Sequence, residues 1–348
     1  MSRFLIYGAN GYTGRLIAAE ALRQDLEPVL AGRNAAALEA MGKALGLSWR
    51  AFGLDDAAQL EREFEGLPLV LNCAGPFSET AQPVLDACLA ARSHYLDITG
   101  EIDVFALCHR AHDRAVARGI VVAPGTGFDV VPTDCVAAML KQRLPDADQL
   151  VLAFEAGGGP SPGTARTSVE GLAKGGRARV DGELVEVPLG WKSRTFLRDG
   201  EARSAMTIPW GDVYTAYIST GIPNIETYMT VSPATIRRVR RLRLFKPLLG
   251  FAPVQSWLKR RAGATAGPSA ERRERSDCRV WGEVRNAQGG EARLELSAPN
   301  GYALTATASV GMVRKLLSGA ASSGFHTPSQ LMGADYVLRL PGVRVVGP

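Results

Sequence analysis

The first 125 residues alternate short apolar runs with longer stretches of helical periodicity, and this alternation limits the fold more than any other feature. Strands that alternate with helices usually pair in parallel, because each helix carries the chain back to the start of the next strand. The runs are apolar throughout, as expected for strands that helices cover on both faces. We therefore predict an α/β fold with a doubly wound parallel sheet. The apolar runs are 4–7, 27–31, 48–52, 67–74, 94–97 and 119–123.

A glycine-rich turn, Gly8-Ala-Asn-Gly-Tyr-Thr-Gly14, follows the first run and opens the first helix. Gly8 lets the chain leave the strand sharply, Gly11 lets the backbone approach a ligand, and Gly14 lets the helix pack on the sheet. Amides at a helix N-terminus bind phosphate groups. The turn therefore predicts a Rossmann-type site for the pyrophosphate of a dinucleotide. The predicted contacts are Gly8, Asn10, Gly11, Tyr12, Thr13 and Gly14.

The end of the second run carries Arg33 and Asn34, and no acidic residue occupies 28–34. An acid at this place accepts a hydrogen bond from the ribose 2′-hydroxyl of NAD and would repel the 2′-phosphate of NADP. A guanidinium can instead hold that phosphate with two parallel hydrogen bonds. We therefore predict NADP(H) as the cofactor, with Arg15 as an additional candidate contact. The alternative is that Arg33 is a solvated loop residue.

The segment that follows the fourth run, Asn72-Cys-Ala-Gly-Pro-Phe77, is the next candidate for cofactor contact. Ligands of open α/β sheets lie beyond the carboxyl ends of the strands, so this backbone should border the nicotinamide ribose. Cys73 has no neighbouring histidine in sequence, which favours packing over a nucleophilic role. The predicted contacts are Cys73, Ala74, Gly75 and Pro76.

The two loops after the fifth and sixth runs supply candidates for a proton donor. Reduction of a polarised double bond needs a proton as well as a hydride, and a tyrosine or a carboxylic acid with a shifted pKa can supply it. Glu101 and Asp134 stand where helices are predicted to begin, so helix capping is their alternative role. The candidate catalytic residues are Tyr95, Asp97, Glu101, Asp129 and Asp134.

The rest of the chain predicts a second domain. The length of 348 residues exceeds what one core usually fills. After residue 133 the pattern changes to a mixed or antiparallel sheet, with a hairpin at 279–297 and a helix at 302–317. Five cysteines without a CxxC pair fit reduced thiols, and His109 and His112 lack a third ligand, so no metal site is predicted.

Residues 236–261, called the basic segment below, contain nine Lys and Arg residues, no acid, and interleaved apolar residues. This pattern is typical of basic amphipathic helices. It could pack on its own domain with solvated arginines, or dock on an acidic carrier protein or an anionic membrane surface. Nucleic acid is not expected, because no known binding module accompanies the cations. With no apolar run of about 18 residues and no signal peptide, the chain is expected in the cytoplasm, with peripheral membrane attachment left open.

The motifs GANGYTG, AGRN, NCAGPF, HYLDITGE and PGTGFDVVPTD together resemble the saccharopine dehydrogenase-like NADP-binding family. The resemblance is nearer to its short branch, which includes trans-acting enoyl reductases that serve polyketide synthases. It implies a Rossmann domain at 1–132, rejoined by 320–348, and an inserted α+β substrate domain at 133–319. It also implies NADPH-dependent reduction.

From these features we expect an NADPH-dependent oxidoreductase that reduces a C=C (enoyl) or C=N (imine) bond of a hydrophobic substrate, free or carrier-bound. One alternative is a non-catalytic NADP-binding sensor or scaffold protein. Another is a saccharopine-type amino-acid dehydrogenase, which needs several arginines to hold substrate carboxylates. The sequence leaves open whether the chain forms a homodimer. The arginines available for that second alternative are Arg166, Arg177, Arg194 and Arg203.

Overall fold

The computed structural model describes residues 3–243, 251–262 and 267–347. The chain divides into two compact units. The first unit comprises Met1–Val131 and Tyr302–Gly333, and the second comprises Pro132–Gly301 and Ala334–Pro348.

Strands are numbered along the chain through both units. They are β1 (Leu5–Tyr7), β2 (Val29–Gly32), β3 (Trp49–Ala51), β4 (Leu69–Asn72), β5 (His94–Asp97), β6 (Val121–Ala123), β7 (Gln149–Ala156), β8 (Gly176–Val180), β9 (Glu183–Val187), β10 (Ser193–Arg198), β11 (Glu201–Thr207), β12 (Asn224–Thr230), β13 (Asp277–Arg285), β14 (Glu291–Pro299), β15 (Gly324–Phe325) and β16 (Arg344–Gly347).

Helices are numbered in the same way. They are α1 (Tyr12–Arg23), α2 (Ala35–Leu45), α3 (Ala57–Phe64), α4 (Phe77–Ala91), α5 (Ile102–Arg110), α6 (His112–Arg118), α7 (Val131–Arg143), α8 (Pro162–Lys174), α9 (Asp212–Thr220), α10 (Pro233–Leu242), α11 (Ala252–Ala262), α12 (Ala270–Glu274), α13 (Gly301–Leu317) and α14 (Pro328–Met332).

The first unit contains a seven-stranded sheet in the order β15-β6-β5-β4-β1-β2-β3, in which every pair is parallel. Every residue of β1, β2 and β4 is buried, as expected for strands covered on both faces. The strand order reverses between β1 and β4, and ligands of such sheets bind beyond the carboxyl ends of the strands at this point. The predicted doubly wound parallel sheet is confirmed.

Three helices, α3, α9 and α12, were not predicted, and one predicted helix is divided. The side chain of Asp56 accepts a hydrogen bond from the Gln59 amide and so caps α3, which buries Leu60 and Phe64. This helix is only eight residues long, too short for its periodicity to stand out in the sequence. α9 lies in the part of the chain whose sequence predicts a mixed or antiparallel sheet. The helical periodicity of residues 101–118 predicts one helix, but the structure has two helices there, which meet at Ala111.

The second unit is built on a mixed sheet in the order β10-β11-β12-β7-β13-β14-β16, with β8 paired to β12 and β9 paired to β8. β12 pairs with β7 in parallel, and its other neighbours are antiparallel. One face of the sheet packs against α7: a Cβ added at Gly282 would lie 2.3 Å from Val136 and 2.6 Å from Leu140. Glycine at that position lets the helix approach the strands. The predicted mixed-sheet domain is confirmed.

The division into units differs from the predicted limits in two places. The prediction placed 133–319 in the second domain, but α13 belongs to the first unit. Thr305 accepts a hydrogen bond from the Phe128 amide, and the Ser309 and Thr126 hydroxyls are 3.0 Å apart, so α13 is bonded to the loop after β6. The prediction also assigned 320–348 to the first domain. The last fifteen residues, 334–348, belong to the second unit because β16 pairs with β14.

All five cysteines are free. Among the described residues, no three His, Cys, Asp or Glu side chains come together in an arrangement that could hold a metal ion. None of the described helices has the length and apolar character needed to cross a membrane.

Candidate cofactor and active site

The turn between β1 and α1 is closely packed, and glycine is required at two of its positions. Gly8 has a φ of +82°, and a Cβ there would lie 2.8 Å from the amide nitrogen of Ala74 in the loop after β4. A Cβ at Gly14 would lie 2.4 Å from the carbonyl oxygen of Gly8. The first turn of α1 therefore lies directly against the end of β1, at the point where the strand order reverses.

We predict that Gly14→Ala destabilises the protein by about 1–3 kcal/mol, because the added methyl group meets backbone atoms that cannot easily move. Binding of NADPH should weaken in the same variant, since the turn must open to admit the methyl group. Chemical denaturation and a fluorescence titration with NADPH measure the two effects. Gly171→Ala in α8 is the matched control, because no described atom lies within 4 Å of its added Cβ. Equal stability of the two variants would contradict this account of the turn.

The N-terminus of α1 differs from those of the next two helices. Asn34 caps α2 by accepting a hydrogen bond from the amide of Ala37 at 3.1 Å, and Asp56 caps α3 in the same way. α1 begins after Gly11 without any side-chain cap, and no acidic residue stands in its first turn. A phosphate can therefore approach these amides without displacing a carboxylate or an amide side chain. This arrangement fits the pyrophosphate of a dinucleotide.

Arg33 extends from the end of β2 and is exposed. It makes no hydrogen bond or ion pair with any residue of the described chain. Arg15 donates from Nε to the carbonyl oxygen of Asn10 at 3.0 Å, which holds it beside the glycine turn. Asn34, predicted as a cofactor contact, uses its side-chain oxygen to cap α2. Arg33 is thus the predicted phosphate ligand whose hydrogen-bonding capacity remains available.

The loop after β4 is fixed by two side chains. Asn72 accepts from the amide of Ala74 at 3.0 Å and donates to the hydroxyl of Thr80, which in turn donates to the carbonyl of Ala74 at 2.6 Å. Burial raises the pKa of the Cys73 thiol well above its usual range, and the nearby Asp97 raises it further. A thiol that stays protonated is a poor nucleophile. The structure thus gives Cys73 the character of a packing residue in a rigid loop.

Tyr95 and Asp97, both predicted as catalytic candidates, lie fully buried in β5. The Tyr95 hydroxyl donates to Asp97 at 2.6 Å, and Asp97 also accepts from the amides of Thr99 and Gly125. Burial raises the pKa of Asp97 to about 6, although these hydrogen bonds oppose the rise. Both side chains therefore hold together the loops that follow β5 and β6.

Glu101 lies at the N-terminus of α5 but does not cap that helix. Its two carboxylate oxygens accept hydrogen bonds from the amides of Phe77 and Ser78, at 3.0 and 2.8 Å, in the first turn of α4. A carboxylate at this position complements the positive end of the helix. The expected capping role is present, but it acts on the preceding helix and joins the loop after β5 to the loop after β4.

Asp134 is fully buried in the first turn of α7. It accepts a hydrogen bond from the hydroxyl of Ser219 in α9 at 2.5 Å. Asp134 and Ser219 both belong to the second unit. The observed contact of Asp134 thus connects two helices of that unit.

Asp129 has different surroundings from the other acids. It is partly buried in the loop after β6, and a Cβ at Gly100 would lie 3.1 Å from its Oδ2. Burial raises the pKa of Asp129 to about 7, and the negative charge of Glu101 contributes to the rise. Near neutral pH, Asp129 is therefore protonated in a substantial fraction of molecules. A carboxylic acid in that state can deliver a proton.

The raised pKa of Asp129 also predicts how stability depends on pH. The folded protein holds this proton up to about pH 7, whereas an unfolded aspartate with the ordinary pKa of 3.8 releases it earlier. The contribution of Asp129 to the free energy of unfolding is therefore full below pH 3.8 and is lost as the pH rises to about 7. Between these values the free energy of unfolding falls by at most about 1.4 kcal/mol per pH unit on account of this group. Denaturation of the wild type and of Asp129→Asn should show a shallower decline in the variant, and parallel curves would contradict the assignment.

Sequence reasoning did not assign roles to Thr80, Gly100, Thr305 and Ser309. Thr80 fixes the loop after β4, Gly100 makes room for Asp129, and the α13 hydroxyls hold the loop after β6. The sequence does carry a signal for Gly100. A glycine next to a candidate site residue such as Glu101 often marks a place where another group approaches the backbone closely. Nothing in the sequence indicated Thr305 and Ser309, which lie more than 170 residues from their partners.

The arginines required by the amino-acid dehydrogenase alternative are mostly paired with carboxylates of their own unit. Arg177 lies 2.9 Å from Glu186, and Arg203 lies 2.7 Å from Glu201. Arg194 lies 3.7 Å from Glu283. Arg166 is exposed on α8. The described contacts therefore occupy three of the four arginines proposed to hold substrate carboxylates.

The family comparison bears directly on the glycine turn and Arg33. The model of the saccharopine dehydrogenase NADP-binding domain matches residues 4–121. This part of the chain is a saccharopine dehydrogenase NADP-binding domain. The family and the cofactor NADP(H) predicted from the motifs are thereby confirmed for the domain. The NADP-binding domain contains the uncapped helix α1, the exposed Arg33 and the loop after β4.

Curated relatives of the NADP-binding domain include a saccharopine dehydrogenase-like oxidoreductase of Rattus norvegicus. It is 28% identical over 152 residues, which cover 38% of this chain and 35% of that protein. A protein of Mycobacterium tuberculosis, provisionally named as a trans-acting enoyl reductase, is 30% identical over 191 residues, covering 49% of this chain and 44% of that protein. The chain thus spans about a third of the length of the first relatives it matches.

The fold as a whole is similar to a solved structure. The apo saccharopine dehydrogenase (L-Glu forming) of Saccharomyces cerevisiae matches the entire chain with a TM-score of 0.67 and covers 100% of both proteins. The sequences are 12% identical, so the match concerns the fold alone. It supports a fold with one unit built on a parallel sheet and a second unit built on a mixed sheet.

Proposed function

We propose that this protein is an NADPH-dependent oxidoreductase that reduces a C=C or C=N bond of a hydrophobic substrate. The observation that carries the proposal is the position of Asp129 in the first unit, in the loop that follows β6. It lies at the carboxyl edge of the parallel sheet, and burial raises its pKa to about 7. The edge that binds the cofactor thus also offers a group able to exchange a proton at neutral pH.

Different residues of the chain would bind the cofactor, position the loops and transfer the proton in such a reaction. The amides of α1 bind the pyrophosphate, and Arg33 binds the 2′-phosphate. Glu101 and Asp97 fix the loops after β4, β5 and β6, so that Asp129 keeps its position. Bound NADPH supplies the hydride. Asp129 donates the proton to the other atom of the reduced bond and is left as a carboxylate, which takes a proton back from water.

More specifically, we propose that the substrate is a hydrophobic acyl chain held as a thioester on a carrier. It is supported by the Mycobacterium tuberculosis relative, whose name describes a trans-acting enoyl reductase. The ion pairs of Arg177, Arg194 and Arg203 disfavour an amino-acid substrate, because their charges are already neutralised by glutamates.

The test is an assay of NADPH oxidation with two sets of compounds, enoyl thioesters of increasing chain length and cyclic imines. We expect turnover of at least one set, with kcat/KM rising as the apolar chain lengthens. A parallel fluorescence titration measures NADPH binding. Tight NADPH binding without turnover of either set would contradict the proposal and would instead support the non-catalytic NADP-binding sensor or scaffold.

A further inference from the structure

The basic segment lies outside the NADP-binding domain, which spans residues 4–121. Its nine cations and lack of acids make it the most one-sided charged stretch of the chain. The structure describes it as α10 and α11, while residues 244–250 between them lie outside the described residues. The predicted pair of helices is confirmed for the parts on either side of that gap.

The cations of α10, together with Arg243 directly after it, fall into two groups. Arg240 and Arg243 donate hydrogen bonds to the carbonyl of Gly190, and Arg243 also donates to the carbonyl of Leu189. These two arginines attach the helix to its own unit. For this part of the segment, packing on its own domain is therefore the observed arrangement. The other group is exposed on the helix and makes no hydrogen bond or ion pair within the described chain. It comprises Arg237, Arg238 and Arg241.

α11 is likewise attached by one face and exposed on the other. Gln255 donates to the carbonyl of Val169 in α8, and the half-buried Val254 and Leu258 lie on the same side as Gln255. Trp257 is 51% exposed on the outer side, where the guanidinium of Arg261 lies 5.4 Å from the centre of its ring. Arg260 is exposed as well. Phe251, immediately before the helix, is 58% exposed.

We propose that the exposed faces of α10 and α11 dock on the surface of an anionic lipid bilayer. Exposed arginines in a segment that contains no acid complement a surface that is negative throughout, and each adds about fivefold to the partition coefficient. Tryptophan and phenylalanine side chains insert at the boundary between the lipid headgroups and the acyl chains, while neighbouring arginines remain among the headgroups. A protein partner surface generally presents both signs of charge, and the absence of any acid between 236 and 261 favours the lipid.

The proposal is independent of the reaction. It requires only that the second unit presents this surface, so NADPH binding and turnover can be measured separately from attachment. Docking would bring a hydrophobic substrate dissolved in the bilayer to the same surface at which the protein resides.

Flotation of the full chain with two kinds of vesicle tests the proposal. We expect binding to vesicles of equal parts phosphatidylglycerol and phosphatidylcholine, and little binding to phosphatidylcholine alone. Binding should fall as salt rises, because screening weakens the attraction of exposed charges. The variant R237Q/R238Q/R241Q should lose roughly a hundredfold in partition coefficient. Replacing both aromatic residues, in F251S/W257S, should weaken binding at every salt concentration.

The matched control is R62Q/R110Q/R118Q, which removes three exposed arginines from the NADP-binding domain. It should bind vesicles as the wild type does. Circular dichroism and thermal denaturation check that all variants remain folded. Equal binding to both kinds of vesicle, no binding to either, or an equal loss in the control would overturn the proposal. Retention by an acidic acyl carrier protein with no vesicle binding would also overturn it and would assign the surface to a protein partner.

Discussion

Exchanging Arg33 for aspartate is expected to weaken NADPH binding by roughly a hundredfold to a thousandfold, about 3–4 kcal/mol. The change removes the guanidinium that we place at the 2′-phosphate and introduces a carboxylate that repels it. NADH lacks that phosphate, and an aspartate at this position can accept from the ribose 2′-hydroxyl. Affinity for NADH should therefore stay unchanged or increase. Isothermal titration with each cofactor measures the difference.

The matched control for Arg33→Asp is Arg110→Asp, a second exposed arginine of the NADP-binding domain, located at the end of α5. It makes the same change in net charge away from the predicted phosphate site. Its affinity for NADPH should change by no more than about twofold. An equal loss of NADPH and NADH in Arg33→Asp would remove the case for phosphate recognition, since only the phosphate distinguishes the cofactors at this end.

Asp129→Asn is expected to lower kcat by about a hundredfold to ten-thousandfold, the usual contribution of a positioned general acid. Asparagine has nearly the same shape but no proton to deliver, so NADPH binding should be retained. In the wild type, kcat/KM should fall as the pH rises through about 7, because the protonated form of Asp129 is the active form. The measurement is a pH profile with the best substrate found in the oxidation assay.

Two further variants separate proton delivery from a structural role. Asp113→Asn removes an exposed carboxylate on α6 and should leave the pH profile unchanged. Glu101→Gln removes the negative charge beside Asp129, so the pKa of Asp129 should fall and the decline in kcat/KM should begin at a lower pH. An unshifted profile in Glu101→Gln, or nearly full activity in Asp129→Asn, would contradict the proposed proton donor.

The fold of the first unit was largely predictable because its signals are local. The apolar runs correspond to β1–β6, and the glycine turn lies where the strand order reverses. The limits of the units were less predictable. Whether α13 joins the first or the second unit depends on hydrogen bonds from Thr305 and Ser309 to a loop more than 170 residues earlier. No pattern within the helix itself encodes that choice.

The sequence alone determined the cofactor chemistry. Glycines at fixed positions permit a tight turn, and a cation in place of an acid after β2 favours a cofactor with a 2′-phosphate. Both signals lie within a few residues of the chain. Only the tertiary structure distinguished the roles of the five candidate residues, which are four acids and one tyrosine. Glu101 bonds to amides 24 residues earlier, and Asp134 to a hydroxyl 85 residues later. Burial and hydrogen-bond partners set the pKa of a carboxyl group, and both come from residues that folding brings together.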